Sequence, residues 1–172
     1  MAREDRAERI EAPVNAVGEN DNMLLAVFQL DGQRYGLEVQ AVERVFPVVA
    51  ISDLPGAPEV IRGAVNVRGR VFPVVDLRVR FGQPALTLRL SDRLLLVRTR
   101  RRHLGLLTDE VQGVISVSRQ ALTVTEPAIA GAGHIKGIVP LPDGLLFLQD
   151  LDAVLSLDEE QQLSEAIAGG EA

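Results

Sequence analysis

The sequence predicts an all-β fold with minor helix, made of small barrels and built twice from one unit. Three observations carry this. Short Val/Ile/Leu runs bounded by turn residues dominate the chain, and with 47% hydrophobic content but only 3% aromatics and no Trp the core must be aliphatic and strand-forming. The chain also repeats. At a shift of 74, Ile61, Gly63, Val65, Val67, Val71, Asp76 and Leu77 fall on Ile135, Gly137, Val139, Leu141, Leu145, Asp150 and Leu151. At a shift of 69, Leu25, Val27, Gly36, Leu37, Val42 and Val45 fall on Leu94, Leu96, Gly105, Leu106, Val111 and Val114. The copies run from about 24 to 82 and from 93 to 155. Many short strands with turn signals at this spacing favour small barrels over one open sheet.

Taken in order, residues 1–22 are polar and charged without apolar periodicity, and are expected to form a mobile tail. They contain no apolar core of a secretory signal, and no run approaches the ~20 apolar residues of a membrane-spanning helix. With no cysteine in the chain, the reading is a cytoplasmic protein without disulfides or thiolate sites. Met23 to Leu30 forms the first strand, Asp31-Gly32 the turn, and Gln33 to Val39 its partner. One helical turn within Gln40–Val45 leads into a strand through Val49. Ser52 to Glu59, with Pro55, Gly56 and Pro58, is a loop.

The stretch Ile61 to Gly82 organises the first copy. It reads as strand, tight turn at Arg68-Gly69, and second strand, with Gly69 supplying positive φ. Pro73 cannot donate to a ladder, so its strand is expected at an edge or bulged. Asp76 caps a short helical turn, Leu77 to Phe81, that Gly82 closes. In the second copy Leu94–Thr99 and His103–Leu107 form a hairpin, with Arg100-Arg101-Arg102 at its tip, and Val111–Val117 is the third strand. Glu126 to Gly133 is a long loop. Ile135–Leu141 and Leu145–Gln149 form the last hairpin. Asp150 caps a helix reaching, with a break, to about Ala168.

No catalytic constellation emerges, and no cofactor or metal is expected. His103 and His134 lie outside any metal-ligand spacing, no serine sits in G-x-S-x-G, and Gly131-Ala132-Gly133 lacks a phosphate loop's lysine. Asp76 and Asp150 could suggest a carboxylate pair, but their identical repeat positions are explained by capping.

Charge is informative. The chain carries −6, yet residues 62–102 hold 11 Arg against Asp76 and Asp92, a net of +9. Such a segment suits a carboxylate-bearing partner, since the guanidinium fork pairs with carboxylates; the plainer alternative is that these arginines solvate strand faces and hairpins. A small barrel binding nucleic acid, or another acidic partner, through this segment is the alternative function. It lacks aromatic platforms, however, because Phe72 and Phe81 fit core positions.

Phe28-x-Leu30, Tyr35-Gly36, Pro55, Gly63-x-x-Asn66-Val67-Arg68-Gly69 and Pro73-Val74-Val75-Asp76-Leu77-Arg78 together resemble the CheW family of bacterial chemotaxis adaptors. The resemblance spans residues 23–156, leaving 157–172 as a C-terminal helix and tail. It implies two tandem five-stranded SH3-like barrels side by side, with strand exchange between them left open. It also implies a non-catalytic adaptor between a methyl-accepting chemoreceptor's cytoplasmic tip and the regulatory domain of a CheA-type histidine kinase. Other CheW-like domains could join it in rings, and its site would be the inner face of the membrane, reached through receptors rather than by insertion. Val42, Gly63, Asn66 and Arg68 match receptor-facing motif positions. Arg44 stands where the family commonly has a glutamate at the groove, so the receptor is expected to carry a compensating acid or to belong to a non-flagellar system. Kinase-facing residues are expected around Gly105 and on the strand carrying Ile135, Gly137 and Leu141.

Overall fold

The computed structural model describes residues 21–48, 50–84, 87–124 and 134–170. Residues 1–20 of the expected tail and the whole of the Glu126–Gly133 loop lie outside the described residues. The chain forms two compact units, and neither is a sequence repeat. Unit 1 comprises residues 1–41 and 111–150; unit 2 comprises 42–110 and 151–172.

Unit 1 holds β1 (Asn22–Leu30) and β2 (Gln33–Glu38) from the first copy, with β8 (Glu110–Ser118), the two-residue β9 (Thr123–Val124), β10 (Ile135–Leu141) and β11 (Gly144–Gln149) from the second. Its sheet order is β8-β1-β2-β11-β10-β9. Unit 2 holds β3 (Val42–Pro47), β4 (Ile61–Val67) and β5 (Arg70–Asp76) with β6 (Arg93–Arg98) and β7 (His103–Thr108), in the order β3-β6-β7-β5-β4. The two copies have exchanged hairpins. In unit 2 the second copy's β7 lies parallel to β5, placing Gly105 opposite Val74. In unit 1 the first copy's β2 lies parallel to β11, placing Gly36 opposite Leu148. These pairs are equivalent under the repeat. A Cβ on Gly36 would stand 3.0 Å from Leu146, and one on Gly105 3.1 Å from Leu94, so both glycines admit a leucine against the backbone.

The hairpins follow their turn chemistry. Asp31 and Gly32 have φ of 51° and 81°, and Arg68 and Gly69 have 56° and 85°, the positive pair that matches strand twist in a two-residue hairpin. β4 and β10 each shift register at the same repeat position, between Ile61 and Gly63 and between Ile135 and Gly137. Pro73 departs from expectation. It lies in β5, an interior strand, opposite Ala64, and the bulge falls on β4. The strand tolerates it because pairing with β7 begins only at Val74. Phe147, its repeat equivalent, does make that rung, with Tyr35.

Met23, Leu25, Val27, Val117, Val139, Leu146 and Leu148 form an aliphatic core in unit 1. Phe28 stacks on Tyr35 at 5.7 Å beside them, and burial, with Asp31 nearby, raises the Tyr35 hydroxyl pKa. Val65, Phe72, Val74, Leu94, Leu96 and Leu107 form the core of unit 2, with Phe46, Ile51 and Val67 packed on it. Each such buried side chain contributes about 1.5–3 kcal/mol.

Helix α1 (Leu77–Arg80) is capped by Asp76, which accepts from the Arg78 amide at 3.0 Å. Asp150 opens instead a 3₁₀ turn, Leu151–Ala153. Its amide donates to His134 O at 2.7 Å, as that of Asp76 does to Val60 O at 2.9 Å. Helix α2 (Leu157–Gly170) starts afresh after the expected break. Ser156 Oγ accepts from the Glu159 amide at 3.1 Å while Glu159 Oε1 accepts from the Ser156 amide at 2.8 Å, a reciprocal capping box.

Candidate functional site

The four residues matched to receptor-facing positions, and Arg44 which departs from the motif, all lie in unit 2. Gly63, Asn66 and Arg68 belong to the β4–β5 hairpin, whereas Val42 and Arg44 lie on β3, at the other edge of the sheet order. Asn66 is exposed and braces the turn, its Oδ1 accepting from the Gly69 amide at 2.9 Å. Arg68 is exposed at the tip in left-handed conformation, which costs a non-glycine residue roughly 1 kcal/mol. Gly63 is buried with φ 152°, and a Cβ there would lie 2.2 Å from Ser52 O, so it acts through backbone packing. Ser52 and Ala64 exchange two backbone hydrogen bonds of 2.9 and 2.8 Å across this approach.

On β3 the register shifts between Val42 and Arg44, leaving Glu43 as the extra residue of a bulge. Val42 is half-buried and Arg44 exposed. Contacts join this edge to the hairpin. Glu43 Oε2 lies 3.1 Å from His103 Nε2, and the His103 ring meets Phe72 edge-on at 6.0 Å. The Arg70 guanidinium sits 5.0 Å over Phe72, and that of Arg44 5.5 Å over Phe46. Phe46 and Phe72 both pack on the core cluster of unit 2, so each guanidinium covers a ring of that core. Arg70 stands outside the motif-matched set, and the two arginine–ring contacts follow the i, i+2 recurrence of Arg and Phe in Arg44-Val45-Phe46 and Arg70-Val71-Phe72.

The residues expected to face a kinase lie deeper. Gly105 is buried in β7, Ile135 is 8% exposed, and Gly137 is buried against Leu122. Leu141 is half-buried and, with Val27, Ile115 and the Arg34–Asp143 ion pair, lines a cleft of about 250 Å³ in unit 1. Ile135, Gly137 and Leu141 share β10, while Gly105 belongs to unit 2. Hydrogen bonding and attraction from Arg34 hold the exposed Asp143 carboxyl below its usual pKa.

Much of the arginine-rich segment is engaged within unit 2. Arg78, 1% exposed, pairs with the fully buried Asp92 at 3.2 Å and with Asp109. Arg62 meets Asp76 at 2.9 Å, Arg80 meets Glu159 at 2.6 Å, and Arg102 meets Glu160 at 2.8 Å. Arg100-Arg101-Arg102 forms the β6–β7 turn, as expected. Phe72 is only 2% exposed and gives no stacking platform for a nucleobase. Among the described residues there is no group of three or more His, Asp or Glu able to hold a metal, and no helix is long and apolar enough to cross a membrane.

Hairpins exchanged between two SH3-like β units, with charged side chains at turns and strand edges, define a doubled-barrel module. The chain belongs to the CheW-like domain family, whose model matches residues 25–159. It is similar to the chemotaxis protein CheW of Treponema pallidum, 27% identical over 151 residues covering 84% of this chain and 89% of that protein. Its similarity to the chemotaxis protein CheW of Klebsiella aerogenes is 26% over 153 residues, 88% of this chain and 92% of the other. Among solved structures it resembles the scaffolding protein TtCheW from Thermoanaerobacter tengcongensis, with a TM-score of 0.74 and 28% identity over 80% of this chain and 94% of that one.

Proposed function

We propose that this protein is a non-catalytic adaptor coupling the cytoplasmic tip of a methyl-accepting chemoreceptor to the regulatory domain of a CheA-type histidine kinase in a bacterial signalling array. Family membership across residues 25–159 is the observation that carries this reading. The adaptor core is taken as 23–156, with 1–22 and 157–172 as additions. Val42, Arg44, Gly63, Asn66 and Arg68 form the proposed receptor-facing set. Arg68 and Arg44 meet receptor carboxylates, Val42 adds apolar contact, and Gly63 and Asn66 hold the hairpin in shape. On the kinase side, Gly105, Ile135 and Gly137 act through the strands they shape, and Leu141 offers a side chain. The adaptor works by holding receptor and kinase in a geometry that favours one activity state. It resides in the cytoplasm, recruited to the inner face of the membrane through receptors, and can join rings with other CheW-like domains.

The test is capture from lysate by the purified protein, wild type beside Arg68→Glu. A receptor and a CheA-type kinase retained by wild type, with the receptor lost by the variant, supports both function and site. Both partners retained by the variant would reject the Arg68 assignment alone. Neither partner on the wild type would reject the adaptor reading.

A further inference from the structure

Helix α2 has no helical counterpart among the described residues of the first copy. At a shift of 74 its residues 157–170 fall on 83–96, a segment that leads into β6. The matched family span ends at residue 159, inside the first turn of α2. The surface beneath the helix therefore belongs to the shared domain, while most of the helix lies beyond it.

Two ion pairs seat α2 on that surface. Arg80 grips Glu159 through both terminal nitrogens, at 2.6 and 3.2 Å. Arg102 Nε donates to Glu160 at 2.8 Å while its Nη2 donates to Ser164 Oγ at 2.7 Å. The paired side chains are between 12% and 24% exposed, so water and salt screen them less than a surface pair. Farther along, Gln162 Nε2 donates to Gly56 O at 3.2 Å. A Cβ on Gly56 would stand 3.7 Å from that of Ala166, so this position of the helix takes a small residue. The apolar seat is narrow: Leu163 and Ala166 are buried, whereas Leu157 is 68% exposed. Clefts of about 430 and 440 Å³ flank the helix, one against Pro55 and Gly56, the other against Arg101 and Arg102. A helix of 14 residues is marginal by itself, since isolated helices shorter than ~12–15 residues barely persist in water. Charge, more than a broad apolar face, fixes its place.

We propose that α2 is a displaceable cover, and that Arg80, Arg102 and the Pro55-Gly56 turn form a docking seat for an acidic helix of another protein. The cover itself describes that partner: adjacent glutamates, a leucine three residues on and a small residue three further, E-E-x-x-L-x-x-A. A helix with this pattern replaces the contacts of Glu159, Glu160, Leu163 and Ala166, and its concentration sets the balance between covered and partner-bound forms. The short tether gives α2 an effective concentration on the order of millimolar, so the closed form dominates until a partner competes. The seat is built from unit 2 alone, and the inference holds whichever receptor or kinase the adaptor joins.

The test uses full-length protein and a fluorescent peptide with the sequence of residues 154–170. Anisotropy at low salt reads binding, and hydrogen exchange of the α2 amides is followed in parallel. Glu159→Gln/Glu160→Gln loosens the cover and leaves the seat intact. This variant should bind the peptide at least about tenfold more tightly than wild type, with faster α2 exchange, as expected for losing two charge-assisted contacts. Arg102→Glu should prefer a peptide carrying Glu160→Lys over the unmodified one, a preference that no misfolded protein could give. Equal peptide affinity of wild type and the double-glutamine variant overturns the cover. Faster α2 exchange without peptide binding overturns the seat. Equal binding of both peptides by Arg102→Glu overturns charge selection by the seat. Dimerisation of the double-glutamine variant in place of peptide binding overturns a separate partner.

Discussion

Replacing Gly63 by alanine tests whether this site residue acts through its backbone. The new Cβ would lie 2.2 Å from Ser52 O and 2.7 Å from Ile51 Cγ2. Contact with a carbonyl oxygen cannot be relieved by turning a side chain, so the segment carrying Ser52 must move by the order of an ångström. That movement breaks the two Ser52–Ala64 backbone hydrogen bonds, at about 1 kcal/mol each. Holding alanine at a φ of 152° adds about 1–2 kcal/mol. The sum, roughly 3–4 kcal/mol, is a large share of the ~5–15 kcal/mol that a domain of this kind has. Gly137 is the matched control at the same repeat position. Its added Cβ meets Leu122 Cδ1 at 2.4 Å, the end of a flexible side chain, and its φ is not in the left-handed region. Gly137→Ala should therefore cost about 1–2 kcal/mol through overpacking. Urea denaturation followed by far-ultraviolet circular dichroism is the suitable assay, since the chain has no Trp and its one Tyr lies in unit 1. Equal midpoints for Gly63→Ala and wild type would refute the packing argument. A stable Gly63→Ala protein that no longer bound receptor would make the position a direct contact.

The buried ion network makes the next prediction. Arg78→Ala should destabilise by about 1–3 kcal/mol, because buried Asp92 loses one charge partner but keeps Arg89 at 3.2 Å, whereas removing both charges as Arg78→Met with Asp92→Leu should cost less; chemical denaturation of the single and double variants decides. The α2 capping box gives the last. Burial pushes the Glu159 pKa up, but hydrogen bonds from Arg80 and Ser156 together with the charge of Arg80 outweigh it and leave the pKa lowered. A lowered pKa means stability present above the unfolded value, near 4.5 for a free glutamate, and lost as pH falls through the folded value. Glu159→Gln should flatten that acid limb, and Ser156→Ala should cost about 1 kcal/mol at neutral pH, both read from thermal melts between neutral and acidic pH.

Several features were legible because their causes are local. The Arg68-Gly69 turn follows from a glycine between two alternating runs, and the Asp76 cap from an acid preceding a helical turn. The duplication is visible as a pattern of glycines and aliphatics. Of the site, Arg68 could be placed at its turn from the glycine beside it, whereas the helical turn expected within Gln40–Val45 ends at Ala41 and Arg44 lies on the strand that follows. The Ser156-x-x-Glu159 box is equally local, but Asp150 competes with it as a helix start, and the chain uses Asp150 for a 3₁₀ turn before the helix begins at Leu157.

What the tertiary structure decided is pairing between distant residues. The parallel contacts of β5 with β7 and of β2 with β11 leave no mark in local periodicity, so the exchange of hairpins between copies could not be read from either copy alone. The same holds for charge. Eleven arginines in one segment look alike as letters, yet folding brings Asp92 and Asp109 onto Arg78, Glu159 onto Arg80 and Glu160 onto Arg102, while Arg70 settles on the Phe72 ring. Sequence by itself determined the duplicated β architecture and its turns, since those depend on neighbouring residues. Which strands share a sheet and which arginines remain available depend on approaches between residues far apart in the chain, and only the folded structure supplies those.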